Sequence, residues 1–330
     1  MGTFLDGIVA RARADVRHIV LPEGADARTI KAARKVVDAG TARVTVLGPT
    51  DVVASHGIST DGIDVIDPDE SPLAEQYART LAELRAKKGM TVDEARELVR
   101  NVTYFGVMMV HAGDADGMVS GACHSTADTL RPALQVLKCA PGVSLVSSAF
   151  VIDIPDCELG EGGVFVMGDC ALNIDPTSDE LAQIALASAR TFETLVGGEP
   201  RVAMLSYSSH GSGKGESVDK VRAATETAKS LAPALAIDGE LQADAAIVES
   251  VGALKAPDSQ VAGSANVLVF PNIDAGNIAY KLVQRLANAD AFGPVMQGMA
   301  KPVNDLSRGA SASDIAGTIA VTCVQAQNQS

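Results

Sequence analysis

The sequence predicts an α/β protein of two domains, and three observations carry that prediction. Short β-branched runs alternate with longer stretches of helical periodicity, the mark of βαβ units. Aromatic residues make up 3% of the chain and Trp is absent, so the core must be built from Val, Ile, Leu, Ala and Met, as in buried parallel sheets. A chain of 330 residues with 47% hydrophobic content is also too long for one ordinary core, since domains cluster near ~100 to 200 residues.

The elements follow in order. Phe4, Leu5, Ile8, Val9 and Ala12 stand at helical spacing, with neither the uninterrupted apolar core nor the small-residue cleavage site of a signal peptide. His18 to Leu21 reads as a strand and Asp26 to Asp38 as a helix closed by Gly40; Arg43 to Leu47 and Gly62 to Ile66 read as further strands. Leu73, Tyr77, Leu81 and Leu84 form the apolar stripe of a helix from Leu73 to Lys88 that stops at Gly89, and a second helix runs from Thr91 to Arg100. Asp116 to Gly121 looks like a strand feeding a helix that starts near Ser125. Beyond a boundary near Pro141-Gly142, strands are expected at Val143 to Ile154, Gly163 to Met167, Arg201 to Ser206 and Val267 to Phe270. The helices expected there are Glu180 to Leu195, Val218 to Leu231 and Ala275 to Leu286. The last helix, Ser311 to Gln327, fits either half.

Charge and cysteine content narrow the function. The formal charge of -14 argues against nucleic acid or an anionic membrane surface as a partner, since both attract a basic face. No stretch reaches the ~18 apolar residues of a membrane span. Five cysteines at wide spacings, with no zinc-type pairing, read as reduced thiols of a cytoplasmic protein. The glycine-rich run His210 to Gly215 lacks the nucleotide-loop spacing, Gly160 to Gly163 lacks the dinucleotide spacing, and Pro68 and Pro72 break up the Asp64, Asp67, Asp69, Glu70 group. No metal or tightly bound cofactor is expected.

The densest polar cluster runs from Lys301 to Asp314. Ser311 and Asp314 are spaced as a capping box, which accounts for Asp314 without any chemistry. Asn304, Asp305, Ser307, Arg308 and Asp314 crowd one loop before an apolar helix, and such loops carry function. Both readings stand at this point.

The run Asn304-Asp305-Leu306-Ser307-Arg308-Gly309, with Asp314 and Val321 to Ala326, resembles the C-terminal signature of the phosphate acetyltransferase family. The likeness continues through Asp116 to Pro132, through Leu84-Arg85 with Lys88 to Thr91, and through Leu205 to Ser212, so it covers nearly the whole chain. The resemblance implies two three-layer α/β/α domains with mainly parallel sheets and a cleft between them, similar to the isocitrate/isopropylmalate dehydrogenase-like fold. It implies a first domain of residues 1–142 with 296–330, including the C-terminal helix, a second of 143–295, and a homodimer. It also implies reversible acetyl transfer between coenzyme A and phosphate, with acetyl-CoA, phosphate and acetyl phosphate as ligands. Ser307, Arg308 and Asp314 match the family's catalytic positions, and Arg85 and Arg131 match further positions of the cleft.

The chemistry asks for these residue types. Phosphate carries about two charges near neutral pH, and a guanidinium grips it with two parallel hydrogen bonds, Arg308 first and Arg131 and Arg85 behind it. Asn304 is assigned to substrate binding as well. The N-terminus of the helix near Ser125, with the hydroxyls of Ser125, Thr126 and Thr129, offers an anion site. Asp314 is the expected base for the coenzyme A thiol. An aqueous carboxyl ionises about 4.6 pK units below a thiol, so complete transfer costs about 6 kcal/mol unless the site desolvates the acid or Arg308 or Ser307 stabilises the thiolate. Ser307 is expected to donate a hydrogen bond to sulfur or carbonyl oxygen rather than to attack. The rival route through an acetylated Cys157 is disfavoured, because Asp156 and Glu158 beside it oppose a thiolate. A phosphate butyryltransferase, a non-catalytic acetyl-CoA-binding regulatory module and a decarboxylating dehydrogenase on a similar fold are the alternatives.

Overall fold

The computed structural model describes residues 4–329, so Met1–Thr3 and Ser330 of the expected first domain lie outside the described residues. The chain runs α1 (Phe4–Ala14), β1 (Arg17–Leu21), α2 (Ala27–Asp38), β2 (Ala42–Leu47), α3 (Thr50–Ser55), β3 (Ile63–Ile66), α4 (Ala74–Arg85), α5 (Val92–Val99) and α6 (Val102–Ala112). It continues through β4 (Gly117–Ser120), α7 (Thr126–Val136), β5 (Ser147–Asp153), α8 (Leu159–Gly162), β6 (Val164–Gly168), α9 (Ser178–Leu195), β7 (Arg201–Leu205) and α10 (Glu216–Leu231). The last elements are β8 (Ala236–Leu241), α11 (Ala243–Ile247), α12 (Glu249–Lys255), β9 (Val267–Val269), α13 (Ile273–Leu286), β10 (Asp290–Gln297), β11 (Val303–Asp305) and α14 (Ala312–Gln327). Residues up to Pro141 and from Met299 onward form one compact unit, and Gly142–Gly298 form another.

The first unit is built on an all-parallel sheet of order β11-β4-β1-β2-β3. Its layers follow from strand pleating, because successive side chains point to opposite faces. In β4, an added Cβ at Gly117 would meet Thr322 of α14, whereas the neighbouring Met118 reaches Gly106 of α6. Helices α14 and α6 therefore cover opposite faces. α2 and α1 pack with α14, and α4 and α7 pack with α6. The terminal helix, undecided from periodicity alone, belongs to this unit.

The second unit has a mixed sheet of order β10-β5-β6-β9-β7-β8. Its β6, β9, β7 and β8 run parallel, while β5 is antiparallel to both of its neighbours, β10 and β6. Phe150, Phe165, Met167, Leu205, Leu241 and Leu268 fill one side of this sheet. The predicted α/β class with parallel sheets is what the structure has.

Candidate active site

In the first unit the chain proceeds from β1 to β2 and β3 on one side, and β4 and β11 lie on the other. Open α/β sheets bind ligands outside the carboxyl ends of strands at such a reversal. Three loops leave the sheet there: residues 22–26 after β1, 121–125 after β4 and 306–311 after β11.

Glu23, 4% exposed, ties the first two together. Its carboxylate accepts the backbone N–H groups of Gly121 (3.1 Å), Ala122 (2.9 Å), Cys123 (2.8 Å) and His124 (3.0 Å), and the His124 Nδ1 lies 2.9 Å away. Burial opposes ionisation of Glu23, but the imidazole and the backbone donors outweigh it and hold the carboxyl below its usual range. The same pair raises the His124 imidazole, which favours its charged form. Gly121 has φ +118°, and a Cβ there would sit 2.5 Å from Asp305 Oδ1 and from the Leu306 N, so the close approach of the β4 and β11 loops requires glycine.

Ser125 caps α7, but its hydroxyl donates to Asp128 at 2.6 Å while accepting the Asp128 N–H at 3.2 Å. The Thr126 hydroxyl donates to Asp305 Oδ2 at 2.6 Å. Thr129 is fully buried beneath the loop. These three hydroxyls, expected to meet phosphate, thus serve carboxylates or the interior. The N–H groups of Ser125, Thr126 and Ala127 have no acceptor among the described residues, so an anion at this helix end meets backbone rather than hydroxyls. Burial raises the Asp305 carboxyl.

After β11 the chain makes a tight turn, with the Ala310 N–H donating to the Ser307 carbonyl at 2.9 Å and the Gly309 N–H to the Ser307 Oγ at 3.3 Å. Arg28 fixes this turn. Its Nη1 donates to the carbonyls of Arg308 (2.8 Å) and Ala310 (2.9 Å), its Nη2 to that of Ala122 (3.0 Å), and Asp26 holds the guanidinium at 2.6 Å. The Arg28 guanidinium keeps the Asp26 carboxyl at about 2. Ser307 and Arg308 are exposed, and Arg308 Nη1 leans on the His124 carbonyl at 3.4 Å. Asp314 is exposed at the start of α14, where Oδ2 accepts the Ser311 N–H at 2.8 Å and its own N–H donates to Ser311 Oγ at 3.2 Å. The capping box is real. Asn304 is fully buried and donates to Thr322 (2.8 Å) and Gln325 (2.6 Å), which pins α14 to β11 rather than facing a ligand.

Arg131, exposed on α7, and Arg85, half-buried at the end of α4, both lie within electrostatic range of Tyr104 on α6. The Tyr104 hydroxyl donates to Gln135 at 3.0 Å. Arg131 also acts on Asp128, as does His124. Asp128 is thus within electrostatic range of both Arg131 and His124. No hydrogen bond among the described residues joins Arg308 directly to Arg85 or Arg131.

Cys123, exposed on the same loop, donates its thiol to Asp26 at 3.2 Å. Partial burial and the Asp26 carboxylate push it up to about 11. Alkylation of Cys123 by iodoacetamide at pH 8 is accordingly expected to be about two orders of magnitude slower than that of a free cysteine, as peptide mass spectrometry would follow.

Sequence reasoning missed Glu23, Asp26 and Arg28. The available signal was their place: an acid two residues past the apolar strand end Ile19-Val20-Leu21, next to the reversal of strand order, is positioned to face the neighbouring loop.

The model of the family described as phosphate acetyl/butaryl transferase matches residues 3–323. The phosphate acetyltransferase of Acetivibrio thermocellus is 56% identical over 327 residues, covering 98% of each chain. Among solved structures, the phosphotransacetylase of Streptococcus pyogenes superposes with a TM-score of 0.92 at 45% identity and covers 98% of both chains. A 4-hydroxythreonine-4-phosphate dehydrogenase from Klebsiella pneumoniae, 12% identical with a TM-score of 0.54 over 94% of this chain and 98% of its own, shares the fold. With a family match across nearly its full length and relatives of this identity, the chain belongs to the phosphate acetyl/butaryl transferase family.

Proposed function

We propose that this protein transfers an acetyl group reversibly between coenzyme A and inorganic phosphate, by direct attack in a ternary complex. The observation that carries the reading is the placement of Ser307, Arg308 and Asp314 on one loop and helix start, beside the N-terminus of α7 and its first-turn N–H groups. In the direction of acetyl-CoA formation, Asp314 takes the thiol proton of coenzyme A and the sulfur attacks the acetyl carbonyl of acetyl phosphate. Ser307 donates to the carbonyl oxygen as it gains charge. The C–O bond to phosphate then breaks, and the leaving phosphate rests on Arg308 and the α7 N–H groups, with Arg131 and Arg85 supplying further positive charge. Coenzyme A is a substrate here and no tightly bound cofactor takes part. Relatives named phosphate acetyltransferase at 56% and 54% identity favour acetyl over butyryl transfer, and the presence of all three catalytic groups disfavours a regulatory module. The test is release of free thiol from acetyl-CoA on adding phosphate. Phosphate-dependent release is expected; a folded protein that releases none overturns the reading.

The assembly we propose is a homodimer in the cytoplasm. On α13, Ile278, Leu282 and Leu286 follow one another at i, i+4 and i+8 and are 58%, 53% and 81% exposed. Ile174, also exposed, adjoins the start of this helix, where its carbonyl accepts the Ile273 N–H at 3.0 Å. A continuous apolar stripe of this kind suits a self-complementary contact with a second copy. Ile278→Asp with Leu282→Asp should convert the dimer to monomer in sedimentation velocity, and a monomeric wild type at micromolar concentration would refute the assignment.

A further inference from the structure

We infer that Glu23 is a positioning residue for the acyl-transfer site: its buried carboxylate fixes the loop of residues 121–124, and with it the α7 N-terminus that follows and the His124 carbonyl beside Arg308. The inference rests on the function proposed above.

The observation is unusual in kind. A run of four consecutive backbone N–H groups would ordinarily form a concave anion site. Here the run at Gly121, Ala122, Cys123 and His124 is turned inward onto a side chain of the same protein, with the His124 ring as a fifth partner at 2.9 Å. Glu23 occupies the place an external phosphate would otherwise take. The anion is therefore displaced to the rim, where the remaining N–H groups of Ser125, Thr126 and Ala127 and the Arg308 guanidinium lie. Three further contacts brace the same loop. Gly121 sits against Asp305 and Leu306, Arg28 holds the Ala122 carbonyl at 3.0 Å, and Arg308 touches the His124 carbonyl at 3.4 Å. Any change in the height of this loop moves the α7 N-terminus and the carbonyl beside Arg308, and it also reaches the Asp26–Arg28 pair, which holds the Ala122 carbonyl and the Cys123 thiol. The capping box of Asp314 is closed within residues 311–314.

Glu23→Gln has nearly the same shape but presents an NH₂ group to N–H donors, so the loop must shift. A misplacement near 1 Å costs about 10²-fold in rate. The expected result is a loss of about that size in kcat/KM for phosphate, with KM for acetyl-CoA changed less than about threefold. Glu23→Ala empties the nest, and formate is expected to restore part of its activity by supplying the missing carboxylate. Circular dichroism melts confirm that each variant is folded at the assay temperature. Wild-type kcat/KM for phosphate in a folded Glu23→Gln overturns the proposal, as does an equal fall in kcat/KM for phosphate and for acetyl-CoA together with Tm and no formate rescue, which marks a purely structural role. Wild type runs beside the variants, so an inactive wild type reports failure of the acetyl-transfer reading instead. In that case calorimetric titration with inorganic phosphate decides the matter, and equal affinity in wild type and Glu23→Gln overturns the positioning role.

Discussion

Replacing Arg308 with Ala is expected to lower kcat/KM for phosphate by about 10²- to 10³-fold while Tm stays within a few degrees of wild type. The fold asks little of this side chain. It is exposed, and its hydrogen bond to the His124 carbonyl, at 3.4 Å, is near the limit of a useful contact. What anchors the turn is the Arg308 carbonyl, which accepts from Arg28 at 2.8 Å and survives any substitution at the position. A guanidinium that costs little to remove from the fold and lies against the His124 carbonyl, just ahead of α7, is placed to bind phosphate. Removing one such charge-assisted donor from a transition state typically costs 10² to 10³ in rate. Arg308→Lys keeps the charge but loses the planar fork, so it should recover only part of the loss. Steady-state kinetics with phosphate varied, beside a thermal melt, tests the expectation. Equal losses for phosphate and acetyl-CoA together with a depressed Tm would make Arg308 a structural residue.

Much of this was legible before the structure. The βαβ alternation gave the class, and the strands β1, β2 and β3 read directly because each is short, β-branched and bounded by turn residues. The elements that escaped notice share a physical cause. In β8, Asp238 and Glu240 are buried within the strand and satisfied by Lys229, Arg222, Ser208 and the Gly211 N–H, so its pattern looks like that of a polar loop. β10 carries Gly293-Pro294 and shifts register between Phe292 and Val295, and β11 is only Val303-Asn304-Asp305. α6 buries nearly every residue from Thr103 to Val110 and so shows no amphipathic period. Within the site, residue types near Ser307 and Arg308 could be read from the chain, but the partners could not. Whether the Ser125 hydroxyl donates to a phosphate or to Asp128, and whether Asn304 faces a ligand or Thr322, depends on contacts between segments distant in sequence. Glu23 is the clearest case, since its five donors lie about a hundred residues away along the chain.

Asp314→Asn separates the two readings that sequence left standing at that position. As a capping residue, Asp314 contributes an acceptor for the Ser311 N–H at 2.8 Å and a negative charge in the first turn of α14. Asparagine keeps the acceptor and loses the charge, which is worth about 0.3–1 kcal/mol at an exposed helix start. If capping were its whole role, the variant would melt slightly earlier and turn over at nearly the wild-type rate. As the base that takes the coenzyme A proton, Asp314 cannot be replaced by an amide, and kcat should fall by about 10²- to 10⁴-fold. The second outcome is expected. Ser311→Ala supplies the counter-test, because it removes the cap hydroxyl and about 1 kcal/mol of stability while leaving the carboxylate in place. A Ser311→Ala enzyme that retains most of its kcat, beside an Asp314→Asn enzyme that is folded and nearly inactive, would locate the effect in proton transfer. If both variants lose activity in proportion to their loss of Tm, the carboxylate does no more than start a helix. The two roles are compatible in one residue, since the capping bond to Ser311 engages one oxygen of an exposed residue and leaves the carboxylate a second acceptor for the thiol proton.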